Sequence, residues 1–556
     1  MTDQIAAIFF DMGGTLRTTA GRTPQERQPG VQRIMDLIGT RGSAQEFSEL
    51  LSTRAKAYKH WAEQAHIELN ESELWAKWML PDFPADQIRG MGIELNQLYR
   101  AATGLRVVFP EARDVILELF RRGYRLGIVS NTTSSLEVPT LLSELEIVGC
   151  FETVVLSTVV GKRKPDPAIL LEAVARMGVA PEDCAYIGNR VDCDVAAARA
   201  AGFSKGIILR DPRQPKPNTP DESDLVPDHM LTNLRELLDI FPPRPRPEPA
   251  AVYEASLSTM WAIKTLPSLA DFFECARRMG FARIELNHKV TSDMLAGIGL
   301  GQFKFSSVHE PCPADISADE LKKRDWLVSS TNEQNRREGV QAIRRSIDLA
   351  AQLGASTVVI HAGQARPETG LEKKLKALIA SGRRASDEYR DIQRQMIQVR
   401  AETAPAGFES VTRSIVELLA YAEKSRVRLG IENRYHYLEF PSPDELEILL
   451  GLAGPDRIGF IYDVGHAQTL DRLGFYPHED WLKRFAQRII GTHLHDVIGT
   501  TDHFAPGLGE VDFSMVAKYL PASAFRTCEF QTFNTPEQVK TGLNVLAEHS
   551  CIKTQT

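Results

Sequence analysis

Phe460-Ile461-Tyr462-Asp463-Val464-Gly465-His466-Ala467 is a short apolar run that ends in a carboxylate, a glycine and an imidazole. A buried strand that stops at an Asp and a His three residues apart reads as the rim of a parallel barrel, with polar groups facing one end. Three stretches share the design: Leu429-Gly430-Ile431-Glu432-Asn433-Arg434, Ile489-Ile490-Gly491-Thr492-His493-Leu494-His495-Asp496 and Arg526-Thr527-Cys528-Glu529-Phe530. Together Glu432, Asp463, His493 and Glu529 can set O and N ligands around one divalent metal. A lone Glu or His at a strand end would read as a structural residue. Four are hard to explain as packing, because buried carboxylates need partners. His495 lies on the same strand face as His493 and reads either as its replacement or as its support. His309, His361, His466, Asp502 and His503 point to the same end, although each alone could be a hydrogen-bonded loop residue.

A second constellation opens the chain. The apolar run Ile5–Phe10 leads into Asp11-Met12-Gly13-Gly14-Thr15-Leu16. An Asp at a strand end followed by two glycines is a tight turn that lets backbone N–H groups approach an anion, and it can equally be a plain turn. Further runs end in Ser130-Asn131-Thr132, in Lys162-Arg163-Lys164-Pro165-Asp166-Pro167 and in Gly188-Asn189-Arg190-Val191-Asp192-Cys193-Asp194.

The elements that must carry these groups are strands alternating with helices. In the first part the strands are Ile5–Phe10, Tyr124–Val129, Val154–Leu156 and Ala185–Ile187, with a helical block over 20–105. That pattern is a parallel α/β sheet with its site at the strand carboxyl ends. Pro242-Pro243-Arg244-Pro245-Arg246-Pro247-Glu248-Pro249 then reads as an extended linker. Beyond it, strands are expected at Ala255–Ala262, Arg283–Asn287, Phe305–His309, Thr357–His361, Val427–Asn433, Ile458–Asp463, Ile489–His495 and Arg526–Phe530. Helices fall between them at Ser268–Met279, Arg336–Leu353, Ser410–Glu423, Pro443–Leu452 and Trp481–Gln487. Eight β/α units in this span match a (β/α)₈ barrel. The boundaries are 1–241 for a front domain with a helical cap over about 18–106, 242–251 for the linker and 252–556 for the barrel. Arg366–Gly407 is an excess rich in Lys and Arg. It reads as a solvated helical insertion, or as a lid or subunit contact of a homo-oligomer.

The totals agree with two domains. The 556 residues exceed what one core holds, and 43% hydrophobic with 25% charged residues is ordinary globular composition. The net charge of -8 disfavours nucleic acid and anionic membranes as partners. Seven scattered cysteines with no C-x-x-C pair suit a reducing cytoplasm and offer no thiolate metal site. Neither a signal peptide nor an apolar run of the roughly 18 residues needed to cross a bilayer is present.

The order Asp-x-x-Gly-Thr-Leu, strand–Ser-Asn, Lys-Pro-Asp-Pro and Gly-x-x-x-x-x-Asp resembles the haloacid dehalogenase-like hydrolase superfamily, a Rossmann-like fold. The resemblance implies Asp11 as nucleophile, Ser130, Asn131 and Lys164 as the phosphate cradle, and Asp194 with Asn189 around Mg²⁺. A carboxylate can attack phosphorus when a cation and amides neutralise the phosphoryl oxygens. Two departures stand out. The general acid that this superfamily's phosphatases carry two residues after the nucleophile is here Gly13, and a usual acidic metal ligand is here Asn189. Losing a general acid costs on the order of 10²–10⁴ in rate, so a working phosphatase and a retained binding domain both stay open.

Gly-Ile-Glu-Asn-Arg, Asp-Val-Gly-His-Ala, His-Leu-His-Asp and Asp-His-x-x-Pro-Gly-x-Gly-x-x-Asp resemble the xylose isomerase-like TIM barrels, which include sugar phosphate isomerases, epimerases and endonuclease IV. The resemblance implies Mn²⁺, Mg²⁺, Co²⁺ or Zn²⁺ on Glu432, Asp463, His493 and Glu529, with the two glutamates as the proton-transfer pair. Arg434 and His466 would then position a sugar or sugar phosphate, with His309 and His361 lining the mouth. The endonuclease branch uses three zinc ions and a wider set that His309, His361, His466 and His503 would supply. That branch places its Asp two residues before the last His, whereas Asp502 is adjacent to His503. A keto-polyol dehydratase, or a scaffold with two retired sites, are the remaining readings.

Overall fold

The computed structural model describes residues 5–212, 225–261, 265–367 and 370–555. They form two compact units, Met1–Pro247 and Glu248–Thr556.

In the first unit six strands make one parallel sheet, in the spatial order Phe151–Leu156, Arg125–Ser130, Ala7–Phe10, Cys184–Gly188, Lys205–Leu209 and His229–Leu231. The strand Ala7–Phe10 is central and fully buried, as its unbroken apolar sequence requires. Asp11 therefore leaves the middle of the sheet, beside the ends of Arg125–Ser130 and Cys184–Gly188. An antiparallel ladder, Arg17–Gly21 with Gly104–Val108, leads into and out of a helical cap. The cap helices are Pro24–Ile38, Ala44–Ala65, Glu71–Leu74 continued by a π-turn at Trp75–Met79, and Ala85–Thr103. Thr23 starts the first with a capping box to Glu26. The cap has its own core around Leu51, Trp75, Ile88 and Leu95.

In the second unit eight parallel strands close into a barrel: Val252–Ser258, Phe281–Leu286, Phe305–His309, Thr357–Ile360, Arg428–Glu432, Ile458–Asp463, Ile489–Leu494 and Phe525–Cys528. The first pairs with both the second and the eighth, which completes the ring. The expected strands coincide with these to within a few residues; Ala262, the expected end of the first, lies outside the described residues. The insertion is packed rather than merely solvated. Helix Leu371–Ala380 and the early turns of a 36-residue helix, Asp387–Ala422, bury Leu375, Leu378, Tyr389 and Met396 against Tyr437, Leu438, Leu470 and Leu473. Residues 368 and 369 of that segment lie outside the described residues.

Candidate active sites

In the barrel, the fifth to eighth strands deliver their polar ends to one point. One ligand atom from each of Glu432, Asp463, His493 and Glu529 lies within 4.8 Å of the others, and all four residues are buried. His493 is the hub. Its Nδ1 is 2.6 Å from Glu432, 3.2 Å from Glu529 and 3.6 Å from Asp463. Among the described residues, neither His493 Nδ1 nor Glu432 Oε1 finds a hydrogen bond of sound geometry, although both are buried. Buried polar atoms are nearly always paired, so two orphans sharing one point call for a common partner.

The electrostatics say the same. Burial pushes the Glu432 carboxyl up, but His493 and Arg434 outweigh it and hold it well below the usual range. Burial likewise raises Glu529, and His493 with His309 and His503 reverses that. Burial alone would lower His493; Glu529, Glu285 and Glu432 instead raise it well above the ordinary imidazole value. Four buried carboxylates, Glu285, Glu432, Asp463 and Glu529, touch one permanent cation, Arg434 on Glu432. That excess of negative charge in a desolvated pocket, with mixed O and N donors, fits a divalent cation.

The neighbours hold these groups in place. Asn433 clamps the backbone of Asp463 with two hydrogen bonds of 2.8 and 2.9 Å. His495 sits behind Asp463, its Nε2 at 3.0 and 3.1 Å from the two carboxylate oxygens. A Cβ on Gly465 would meet the His495 ring at 2.1 Å, which explains the glycine. His503, at φ 62, stacks on His495 and pairs with Asp502 at 3.0 Å. His466 donates from Nδ1 to Asn433 O at 2.9 Å and turns Nε2 toward Asp502 at 3.7 Å. His309 and His361 share a short Nε2–Nε2 contact of 2.7 Å, and His361 reaches Glu432 at 3.0 Å. Arg434 is occupied by Glu432 and Glu439. The glycines of the Asp-His-x-x-Pro-Gly-x-Gly motif serve Asp496, which accepts from Gly507, Gly509 and Val511 N–H.

Sequence reasoning missed Glu285 and His288. Glu285 lies inside the expected strand, between Ile284 and Leu286, and a carboxylate flanked by apolar residues there was the available signal. It accepts from Ser307 at 2.6 Å and faces His493 Nε2 at 3.2 Å. His288 packs edge-on against His309, and burial pushes it down to about 3.

In the first unit, Lys164 Nζ lies 2.8 Å from Asp11 and 2.8 Å from Asp194, and 2.5 Å from the Tyr186 hydroxyl, a residue the motifs did not suggest. Burial pushes Lys164 down, but Asp11 and Asp194 reverse that and keep it charged. Asp194 Oδ2 accepts the N–H groups of Asn189 and Arg190, both at 2.9 Å. A Cβ on Gly188 would strike Asp194 at 2.3 Å. Asn131 accepts from Lys164 N–H and donates to Lys164 O, both at 2.9 Å. Ser130 is buried at the end of the neighbouring strand. Among the described residues this unit has no cluster of three metal-ligating side chains. Mg²⁺ needs fewer, since it usually sits on one or two carboxylates plus waters and substrate phosphate.

Residues 5–202 match the model of the haloacid dehalogenase-like hydrolase family, and residues 322–549 match that of the xylose isomerase-like TIM barrel. The chain thus joins a haloacid dehalogenase-like hydrolase domain to a xylose isomerase-like TIM barrel. It is 35% identical over 132 residues to a glyceraldehyde 3-phosphate phosphatase of Methanopyrus kandleri, covering 24% of this chain and 55% of that protein. It is 36% identical over 113 residues to a phosphoglycolate phosphatase of Nitrosococcus oceani, covering 19% of this chain and 49% of that one. The chain spans about half the length of these two relatives. A solved D-tagatose 3-epimerase-like protein superposes with a TM-score of 0.39 at 18% identity, over 53% of this chain and 96% of its own. No helix among the described residues is long and apolar enough to cross a membrane.

Proposed function

We propose that the barrel is a metal-dependent isomerase or epimerase of a sugar, ketose or sugar phosphate. The observation that carries this reading is the approach of Glu432 and Glu529 to one His493 nitrogen from strands separated by two others. Glu432, Asp463, His493 and Glu529 would hold the cation, which when bound polarises a hydroxycarbonyl group and stabilises the enediolate charge. One glutamate takes the α-proton and the other returns it. His361 and Arg434 hold Glu432, and His309 with His503 flanks Glu529. These contacts keep both bases ionised and aimed.

Glu529→Gln tests the role. Proton exchange between substrate and solvent should fall by roughly 10²–10⁴ while the fold persists. Exchange at the parental rate would remove Glu529 from the proton pathway. The groups His309–His361–Glu432 and His466–Asp502–His503 favour a second reading, a multi-metal phosphodiesterase. Elemental analysis separates the two: one equivalent of metal supports the isomerase, three of zinc the alternative. Under the alternative, binding to abasic duplex would fall steeply with salt.

For the front domain we propose a phosphatase whose nucleophile is Asp11, with Mg²⁺ on Asp11 and Asp194 and the phosphate on Ser130, Asn131 and Lys164. The phosphatase relatives support that class, and Asp11→Asn should abolish any hydrolysis.

A further inference from the structure

At the amino-terminal ends of its strands, opposite the carboxylate cluster, the barrel holds a cavity of about 390 Å³. The interior of a parallel barrel is ordinarily filled by layers of bulky side chains. Here Ser256, Ala282, Ser306, Ser356 and Ala524 line the floor, and side chains this small leave the space open. Arg428 lines the cavity from the first position of the fifth strand, whose last position is Glu432. At roughly 3.3 Å per residue the two lie about 13 Å apart, so this cavity is separate from the proposed metal site.

The wall carries charge that no side chain among the described residues neutralises. Arg283, Arg428 and Arg526, from the second, fifth and eighth strands, line the cavity against one acid, Glu254. None of the three forms an ion pair with Glu254 or with any other described carboxylate. Arg526 donates only to the backbone carbonyls of Pro521, Ala524 and Cys551, which fix its guanidinium but leave its charge. Arg428 has a single side-chain contact, Ser356 Oγ at 3.5 Å, and Arg283 is exposed and has none. Burial pushes the Arg428 and Arg526 guanidiniums down, and no carboxylate opposes it. Buried arginines elsewhere in this unit are built differently. Arg336 holds Glu333 and Glu417, Arg400 holds Glu445, and Arg434 holds Glu432 and Glu439. A cation drawn partly out of water without a counter-ion is costly, and three around one cavity call for an anion from solution. Arg428 and Arg526 are half-buried rather than sealed, so both are open to such an anion.

We propose that this cavity binds a phosphate group, either free or as the ester of a small metabolite. Guanidiniums arriving from three strands suit a dianion with three terminal oxygens, whereas a carboxylate would occupy one fork. The Ser356 hydroxyl, held only by contacts of 3.4 and 3.5 Å, can turn to the same oxygens.

Phenylglyoxal, which condenses with guanidiniums, reads the site in the full chain without a variant. Modification of Arg283 and Arg428, followed by peptide mass spectrometry, should slow about fivefold or more in saturating phosphate. Arg394, exposed on the long insertion helix, should react as before. No protection by phosphate overturns the inference, and so does equal protection by chloride at the same ionic strength. Malonate protecting better than phosphate would move the class to carboxylates and overturn it too. Orthophosphate and ribose 5-phosphate separate the two sources: whichever protects at the lower concentration identifies the free ion or the ester. Calorimetry adds a count. Arg428→Gln should lose one equivalent of bound phosphate relative to the parent, and Arg428→Lys should recover part of the affinity. Should Arg428→Gln fail to fold, Arg283→Gln changes only an exposed side chain and should weaken that equivalent about fivefold. Unchanged binding in Arg283→Gln sinks the proposal.

Discussion

Glu285 approaches His493 from the side opposite the carboxylates proposed to hold the metal. Its carboxylate takes the Nε2 side of His493, which leaves Nδ1 facing Glu432, Asp463 and Glu529. Such outer carboxylates orient a histidine ligand, and their loss typically costs roughly 10–100-fold in metal affinity. Glu285→Ala should weaken metal binding by that order in a chelator competition, and Glu285→Gln, which keeps an acceptor, should recover most of it. Unchanged affinity in Glu285→Ala would make Glu285 a packing residue. At Asp11 the prediction follows from Gly13, which stands where the resemblance places a proton donor. Gly13 lies outside the left-handed region, unlike Gly14 at φ 83, and a Cβ there would meet nothing within 4 Å. Gly13→Asp is therefore free of backbone strain. It should raise hydrolysis of an alkyl phosphate by about tenfold or more, and that of an aryl phosphate much less, because only the alkoxide needs protonation. Equal effects on both esters would mean another group supplies the proton. Both strand-end carboxylate sets were legible in the sequence because an apolar run ending in Asp or Glu has few structural uses. Glu285 and Tyr186 were less so, since a Glu inside Arg-Ile-Glu-Leu and a Tyr inside a buried strand also fit ordinary alternation.

Elements were legible where periodicity was strong and obscure where tertiary packing overrode a local signal. The segment Ala404-Pro405-Ala406-Gly407 suggests a break, and a helix was expected only from Ser410. The helix instead runs unbroken from Asp387 to Ala422, with Gly407 pressed against Phe440, where a Cβ would come within 3.1 Å. Pro405 forfeits one backbone hydrogen bond, and the burial of Met396, Val411, Ile415 and Leu418 offsets it. The sixth strand, which carries Asp463, is fixed from outside the barrel by His478. That imidazole meets the Tyr462 hydroxyl through Nε2 and Gln468 Oε1 through Nδ1 at 2.8 Å. Burial pushes His478 from about 6.5 down to about 4, ahead of the opposing pull of Asp463. The neutral form is thus native. Between pH 6.5 and 4 the unfolded chain binds a proton that the folded chain refuses, so stability falls as pH falls through that window. The full effect is about 3 kcal/mol, of which about 2 kcal/mol is lost by pH 5. His478→Gln should reduce the drop in barrel stability between pH 7 and pH 5 by about that amount in urea titrations. An identical drop in the variant would assign the acid limb to other groups.

At the scale of the whole molecule, each compact unit closes its own sheet and core, and the proline-rich run between them is not uniform. Its first residues belong to the first unit. Tyr124 donates its hydroxyl proton to Pro242 O at 2.9 Å, and Arg244 N–H donates to Arg122 O at 2.9 Å. The Arg244 guanidinium binds Ile5 O, at the start of the central strand, and lies 5.6 Å over the Tyr124 ring. Gly123, at φ 94, lets this strap lie close, since a Cβ would meet the carbonyls of Arg244 and Pro245 at 3.0 Å. On the other side Glu248 turns to Arg277 of the barrel unit, 3.4 Å away. Composition alone marks the run as a spacer but cannot say which prolines are pinned, because pinning depends on carbonyls and on residues over a hundred positions earlier. Where the chain is cut should therefore matter. A first unit ending at Pro247 keeps three hydrogen bonds and a cation–π contact that one ending at Phe241 lacks. At about 0.5–1.5 kcal/mol per net hydrogen bond, the difference is about 2–4 kcal/mol. For a unit of this size that corresponds to about 5–10 °C in Tm. Calorimetry on the two truncated chains measures it directly. Equal Tm values would mean that the strap contributes nothing and that the spacer begins at Pro242.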